Sequence, residues 1–237
     1  MREVRFLCLA VSRRDGGTCI AGIDIDSGRW IRPINVRTHG AFGYHEIFVV
    51  DGETKKFKIM QPLDVVHLRI EKYVGDNCQP ENWEVAPASY LEPYPLLRRF
   101  GGQEDVNRLI PYLDQTDRLL HGYSASVQES DVQSHMLTHS LSLTRPDRLY
   151  WEVSDHPYHS NKLQVRADFL FDQLPYNLAV TDPVWEGKCR QLGKGRHPHS
   201  KILGDATGQV LLTISLAGVP LDGFHYKLVA GVINLPV

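Results

Sequence analysis

The stretch Val11–Asn35, VSRRDGGTCIAGIDIDSGRWIRPIN, predicts how this chain begins to fold. Two apolar runs flank Asp15-Gly16-Gly17, where glycine supplies the positive φ that a tight hairpin turn requires. A second turn at Asp26-Ser27-Gly28 leads into the strand-like segment Arg29–Ile34. Together with the preceding apolar run Arg5–Val11, these features predict a three-stranded antiparallel meander.

Further strand signals lie on both sides of a polar middle segment. Asp64–Tyr73 alternates apolar and polar side chains, which is typical of a half-buried strand. We predict additional strands at Ile47–Val50, Arg148–Val153, Leu163–Phe171, Tyr176–Thr181, Val210–Leu216 and His225–Ile233. The chain is therefore predicted to be rich in β structure at both ends.

The middle of the chain changes character. Leu96–Phe100 and Glu104–Gly122 are the best helix candidates, because the second contains an i, i+3, i+4, i+7 apolar stripe. That stripe consists of Val106, Leu109, Ile110 and Leu113. Pro111 falls within it and either kinks the helix or begins a second one. Ser124–Ser140 is polar and predicts a loop or a frayed helix.

Composition and charge fit a globular protein without a membrane span. The 237 residues are 42% hydrophobic and carry a net charge of -2. No apolar run approaches the ~18 residues of a spanning helix. The apolar core Phe6–Val11 is followed by Ser12-Arg13-Arg14 rather than by small cleavage-site residues, so we expect a strand there and not a signal peptide.

Charge is unevenly distributed along the chain. Residues 1–72 carry twelve Lys and Arg against nine Asp and Glu, and residues 140–237 carry ten against nine. Residues 73–139 carry four against ten. The segment Lys188–Lys201 is rich in Lys, Arg and His without hydrophobic periodicity, which predicts an exposed basic loop. A polyanion is expected to contact the outer segments and to avoid the middle one.

Neither cysteines nor histidines are spaced as metal ligands. The four cysteines, Cys8, Cys19, Cys78 and Cys189, contain no CxxC pair, so we expect free thiols in a reducing cytoplasm rather than disulfides or zinc. The closest histidine groups are His135/His139, His156/His159 and His197/His199, and no further ligand pattern accompanies them. There is also no GxSxG, P-loop, GxGxxG or HExxH motif. We therefore predict no metal and no cofactor, and find no specific reason to predict an enzyme.

Four blocks of sequence resemble the dual OB-containing domain family, a bacterial family. They are VSRRDGGTCIAGIDIDSGRWIRPIN, LDVVHL followed by QPENW, YNLAVTDPVWE, and ISLAGVPLDGFHYKLVAGVI, in this order across almost the whole chain. The resemblance implies two OB-like barrels and a role in binding nucleic acid or a nucleotide-like ligand. It implies no catalytic residue.

The expected fold is therefore mainly β with a helical insert, an α+β class. Two small OB-like antiparallel barrels would be joined by an acidic helical segment. We expect the first barrel at residues 1–90, the connecting segment at 91–140 and the second barrel at 141–237.

Cationic and aromatic residues of the opening meander are candidates for a ligand site. Small five-stranded barrels bind nucleic acid with cations that neutralise phosphates and aromatic rings that stack on bases. Arg13, Arg14, Arg29, Arg32 and Trp30 provide such groups.

Structural roles for these residues remain open. The turn arginines can simply be solvated, and Trp30 can pack in a core, as tryptophans usually do. Arg32 is restricted by the neighbouring Pro33 and can either contact a ligand or hold a carboxylate such as Asp24.

Two further regions contain candidate binding residues. Gln79, Asn82 and Trp83 combine amides that can read base edges with a ring that can stack, although Pro80 also favours a structural turn. Asp182 ends a strand, where it either orients a ligand or closes an Asx turn. Lys227 interrupts an apolar strand, so it lies on a solvated face or beside a buried ligand anion.

The sequence thus predicts an accessory module that binds nucleic acid or a nucleotide, with DNA, RNA and small nucleotides as alternatives. One alternative function is an enzyme acting on nucleotides or nucleic acid, with Asp182, Lys227 and an arginine in a pocket between the barrels. Another is a protein-interaction adaptor. We expect a cytoplasmic protein with a nucleic-acid or nucleotide ligand, a place in a larger protein complex and no membrane partner.

Overall fold

Two large sheets make up most of the chain. The computed structural model describes residues 2–14, 16–122, 124–134, 137–203 and 208–236. The first sheet contains β1 (Arg2–Arg14), β2 (Gly17–Asp24), β3 (Arg29–Asn35), β4 (Phe48–Asp51), β5 (Phe57–Ile59), β6 (Asp64–Tyr73), β7 (Asn82–Val85) and β8 (Tyr94–Arg99). The three-stranded meander and the strand at Asp64–Tyr73 are therefore where the sequence predicted them.

Five strands of the first sheet close into a barrel. Their order is β1-β2-β3-β7-β6, and an antiparallel β1–β6 pairing completes the ring. β3 and β7 run parallel, with Arg32 opposite Asn82 and Asn35 opposite Val85. Gly16 in the β1–β2 turn has a φ of 81°, as the glycine-turn prediction requires, whereas Asp15 lies outside the described residues.

The second sheet repeats this strand order. It contains β10 (Leu141–Thr144), β11 (Leu149–His156), β12 (His159–Phe171), β13 (Leu174–Val180), β14 (Gly195–Pro198), β15 (Gly208–Leu216) and β16 (Phe224–Pro236), and β9 (Ser126–Gln128) pairs with β16. The run β11-β12-β13-β16-β15 matches the order of the first barrel, and the β13–β16 pair is parallel, like β3–β7. The two OB-like units and the small helical part that the sequence predicted are present.

Short helices occupy the connections. They are α1 (Gln103–Leu109), α2 (Glu129–Ser134), α3 (Pro183–Arg190) and α4 (Ser200–Leu203), with 3₁₀ turns at Tyr44–Ile47, Ile110–Tyr112 and Leu119–His121. A second, 3₁₀ helix therefore follows α1, with Pro111 in its first turn. Val106 and Leu109 are buried as the stripe predicted, but Ile110 is 53% exposed, because the tighter 3₁₀ turn changes the helical phase after Leu109. None of the helices in the described residues is long and apolar enough to cross a membrane.

Two local predictions were wrong. Leu96–Phe100 was expected to be helical but lies largely in β8, where Leu96 stands between Val66 of β6 and Asp51 of β4. Long-range pairing with these two strands satisfies its backbone and overrides local preference.

The expected basic loop Lys188–Lys201 is also ordered differently. It contains the end of α3, the strand β14 and the start of α4. His197 lies opposite Trp151 in the β11–β14 pair and is 7% exposed, so one of the expected loop histidines lies in the sheet.

The two sheets pack against each other through β1 on one side and β15 and β16 on the other. Thr213 Oγ1 donates a hydrogen bond to the Leu9 carbonyl over 2.7 Å, and the Arg13 amide donates to the Thr181 carbonyl over 2.9 Å. One apolar cluster contains residues of both sheets, including Leu7, Leu9, Ile23, Leu143, Leu211 and Ile233. The halves therefore share a continuous core.

Candidate functional site

Two clefts flank the loop that joins β6 to β7. The first, which we call the aromatic cleft, encloses about 550 Å³ and includes Trp30, Tyr73, Trp83, Arg2 and Arg29 in its lining. The second encloses about 780 Å³ and lies among several loops, so we call it the loop cleft. Its lining includes Gly16, Gly17, His39, Asp76, Gln79, Asn82, Glu84 and Gly218.

Strand pairing brings the rings of the aromatic cleft together. Tyr73, the last residue of β6, lies opposite Trp83 of β7, and their rings meet edge to face with centroids 5.2 Å apart. Such opposed residues have neighbouring Cβ atoms, so large side chains make contact. Tyr73 is 50% exposed, while Trp30 and Trp83 are half-buried. The cleft therefore presents aromatic surface that a planar ligand can reach.

Both cations and carboxylates surround these rings. The Arg2 side chain is 57% exposed and lies 3.3 Å from Asp24, and Arg29 is exposed. Glu81 also lines the cleft, but its carboxylate accepts hydrogen bonds from the amide and the hydroxyl of Ser140. Its charge is thus directed toward the junction of the two sheets, and Arg2 and Arg29 are the cations placed for a ligand.

Strand alternation gives β7 a different role in each cleft. Successive side chains of a strand point to opposite faces. Trp83 lines the aromatic cleft, while its neighbours Asn82 and Glu84 line the loop cleft. One four-residue strand therefore contributes to both clefts.

Polar side chains of the loop cleft form two hydrogen-bonded groups. Gln79 Nε2 donates to the Leu216 carbonyl over 3.1 Å, and Asn82 Nδ2 donates to Gln79 Oε1 over 3.3 Å. Asn82 Oδ1 is buried and has no hydrogen-bond partner among the described residues. In the other group, His39 Nδ1 lies 3.0 Å from Glu84 Oε1.

Of the predicted arginines, Arg29 lines the aromatic cleft, whereas Arg13 and Arg32 line neither cleft. Arg13 has a side chain that is 64% exposed, 4.0 Å from Glu186, and the side chain of Arg14 lies outside the described residues. Asp24 was the carboxylate that the sequence suggested for Arg32, which is 7% exposed. The guanidinium of Arg32 donates to Ser140 and Ser215, so it lies at the junction of the two sheets.

Asp182 and Lys227 are not among the residues that line the aromatic cleft or the loop cleft. Asp182 caps α3 by accepting from the amides of Val184 and Trp185, and its other oxygen accepts from Val232. Burial raises the pKa of this carboxyl, although the three amide donors lower it.

Lys227 is 1% exposed and donates to the Gly122 carbonyl over 2.7 Å. Burial lowers the pKa of this amine to about 8. The sequence therefore singled out two ionisable residues that are buried in the structure. Both form hydrogen bonds that hold the fold around the second sheet.

The thiols and histidines that the structure describes are not grouped as metal ligands. Among the described residues, no three His, Cys, Asp or Glu side chains converge on a common point. Cys78 Sγ lies 3.3 Å from His225 Nδ1, and burial raises the pKa of this thiol to about 11. His135 lies outside the described residues, and the rings of His156 and His159 are 4.6 Å apart.

Sequence reasoning identified Trp30, Trp83, Gln79 and Asn82 but missed the residues that join them into clefts. Tyr73 ends an alternating strand, yet its register against Trp83 is set by a ten-residue strand and a bulge between Ile70 and Tyr73. Local patterns do not encode that register. His39 and Glu84 are likewise far apart in sequence and meet only because of the parallel β3–β7 pair.

Comparison with protein families identifies a match over nearly the whole chain. The family model described as a dual OB-containing domain matches residues 4–232. No curated protein matches the chain.

Proposed function

The chain belongs to the dual OB-containing domain family, and we propose that it binds single-stranded nucleic acid, DNA or RNA, on its first barrel. The observation that supports this proposal is the aromatic cleft. There, the rings of Trp30, Tyr73 and Trp83 share one lining with Arg2 and Arg29.

The chemistry of the cleft suits an unpaired strand. Stacking of a base on an aromatic side chain contributes about 1–3 kcal/mol and tolerates any base, because every base has a π face. Arginines neutralise phosphates and release counterions, which favours binding at low salt. A duplex buries its base faces, so exposed rings next to cations favour a single strand.

The position on the fold also supports this function. OB folds bind oligonucleotides at the face of their second and third strands and at the loops between strands 1 and 2 and strands 4 and 5. The order of the first barrel makes the β1–β2 turn and the β6–β7 loop the equivalents of those loops. Both contribute to the loop cleft, and the β6–β7 loop separates it from the aromatic cleft.

Intrinsic fluorescence provides a direct test. Two of the four tryptophans, Trp151 of β11 and Trp185 of α3, are buried in one apolar cluster, whereas Trp30 and Trp83 line the aromatic cleft. Titration with oligothymidylate or oligouridylate at low salt is expected to quench the fluorescence. The affinity is expected to fall as salt rises, with a slope of about -0.7 for each neutralised phosphate.

Two variants and a control assign the binding to the cleft. Tyr73→Ser removes a ring and is expected to weaken binding by about 1–3 kcal/mol, and Arg29→Ala is expected to lower the salt slope by about one phosphate. Arg108→Ala removes an exposed arginine of α1 that does not line the cleft and is expected to change neither. Absence of binding to both oligonucleotides at low salt, or unchanged binding by the Tyr73 and Arg29 variants, contradicts the proposal.

A further inference from the structure

We propose that the loop cleft reads a guanine base in the strand bound by the aromatic cleft. This inference rests on the proposed function and adds a base preference to it. It starts from the hydrogen-bonding groups of Asn82 and Glu84, which lie on one face of β7.

Neighbouring hydrogen bonds fix the orientation of the Asn82 amide. The Leu216 carbonyl can only accept, so it requires the amino group of Gln79, and Gln79 then turns its Oε1 toward Asn82. Asn82 must donate its own amino group to that oxygen, which leaves Oδ1 as the remaining acceptor of its side chain. This oxygen is buried without a partner among the described residues, and the residue is 8% exposed. A buried acceptor without a donor is costly, so a ligand that donates there recovers that cost.

Glu84 adds a carboxylate two residues further along the same face. One of its oxygens is 3.0 Å from His39 Nδ1, and Glu84 is 8% exposed. Asp76 also lines the cleft, although its Oδ1 already accepts from the amides of Cys78 and Gln79. Carboxylates and an amide oxygen accept hydrogen bonds, so the ligand part that enters must donate them.

Guanine has the matching edge. It carries the adjacent donors N1–H and N2–H₂, which can address one carboxylate in the two-pronged manner that makes such hydrogen bonds strong. The second hydrogen of N2 remains for an amide oxygen such as Asn82 Oδ1. Adenine and cytosine place a single amino group beside an acceptor nitrogen, and thymine and uracil place a single N–H between two carbonyls. A phosphate offers acceptors, so the cleft favours a base over the backbone.

The layout of β7 connects this cleft to the aromatic one. Trp83 lies between Asn82 and Glu84 in sequence and lines the opposite cleft. A strand that stacks one base near Trp83 therefore passes close to the acceptors of the loop cleft. Gly218 and Val219, in the connection from β15 to β16, also line the cleft, so both halves of the chain contribute to this site.

The test compares oligothymidylates with one central nucleotide changed. We expect a central dG to bind at least about tenfold more tightly than dT or dA, as a good bidentate base contact allows. Deoxyinosine lacks the N2 amino group and is expected to lose most of this gain. Because the inosine comparison uses the unaltered protein, it does not depend on whether a variant folds.

Variants then locate the preference. Glu84→Gln and Asn82→Leu are each expected to reduce the dG preference, measured as the ratio of dG to dT affinity in the same variant, to less than about threefold. Glu71→Gln, a carboxylate that lines the aromatic cleft, is the matched control and is expected to keep the preference.

The outcomes separate the two proposals. The guanine site is overturned if oligothymidylate binds without a dG preference. It is also overturned if deoxyinosine supports the same preference, or if both loop-cleft variants keep it. In each case the proposed function still stands. Absence of binding to every oligonucleotide overturns both.

Discussion

Arg32 Nη2, in the first barrel, donates a hydrogen bond to Ser140 Oγ over 2.8 Å, although the two residues are 108 positions apart. The Ser140 hydroxyl donates in turn to Glu81 Oε2 over 2.7 Å, and Arg32 Nη1 reaches Ser215 Oγ over 3.1 Å. Buried charges are stable only when hydrogen-bonded and compensated. This serine links a buried cation and a buried carboxylate where the sheets meet, so Arg32 stabilises the junction.

We expect Arg32→Ala to destabilise the fold by about 3 kcal/mol, because removal of one member leaves a buried carboxylate and hydroxyls without their cationic partner. Urea unfolding measures this change. Arg29→Ala, on the same strand but exposed, is the control and is expected to leave the free energy of unfolding within about 0.5 kcal/mol of the wild type. An Arg32 variant as stable as the control contradicts the structural role.

The contrast between Arg29 and Arg32 illustrates what the sequence can predict. Strand positions follow from alternation and turns, which are local, so the opening meander and most strands of the second sheet were predicted. The side of β3 covered by the second sheet depends on contacts such as Arg32 with Ser215, 183 positions away. No local pattern contains that information. From the sequence, Arg32 therefore looked like a better ligand residue than Arg29, although Arg32 is the more buried of the two.

The same reasoning explains the mixed result for the candidate site. Gln79, Asn82 and Trp83 were chosen for their chemistry, and each lines a cleft. To predict that these residues divide between two clefts, one would need the side-chain alternation of β7 and the register of Trp83 against Tyr73. The two halves share a strand order that the residue identities do not predict, because topology is retained by pairing rather than by residue identity.

Asp182 provides a second test of structural function. We expect Asp182→Ala to lower stability by about 2–4 kcal/mol, since it removes the cap of α3 and leaves the buried amide of Val232 without an acceptor. Asp182→Asn keeps a capping oxygen but loses the acceptor for Val232, so it is expected to cost about half as much. Equal costs in urea unfolding would show that the helix cap contributes nothing.

Because Lys227 is buried, we expect the protein to become more stable as the pH rises above 7. Burial lowers its pKa from 10.5 to about 8, so the unfolded chain holds this proton more tightly than the folded one between these values. Raising the pH from 7 to 10 is therefore expected to stabilise the fold, with an upper limit of about 3 kcal/mol from this group.

Lys227→Met is the appropriate comparison. It removes the charge, and the Gly122 carbonyl still accepts from the Tyr176 hydroxyl at 3.2 Å. The variant is expected to be at least as stable as the wild type at pH 7, and the difference between them is expected to shrink as the pH rises. Parallel stability curves from pH 7 to 10 would show that this amine keeps an ordinary pKa.

The close approach of the two sheets gives the last prediction. A Cβ atom on Gly231 of β16 would lie 2.5 Å from the Leu9 carbonyl oxygen and 2.9 Å from Ala10 Cα, both in the backbone of β1. Backbone cannot turn aside as a side chain can, so Gly231→Ala must separate the sheets locally. Overpacking of this kind costs about 1–3 kcal/mol, which we expect to measure by urea unfolding. Gly187→Ala lies in α3, where a Cβ meets nothing within 4 Å, and is expected to stabilise the protein by about 0.5–1 kcal/mol through helix propensity. The two substitutions thus add the same methyl group but are expected to change the free energy of unfolding in opposite directions. A Gly231 variant as stable as the Gly187 variant would mean that β1 and β16 are not in close contact.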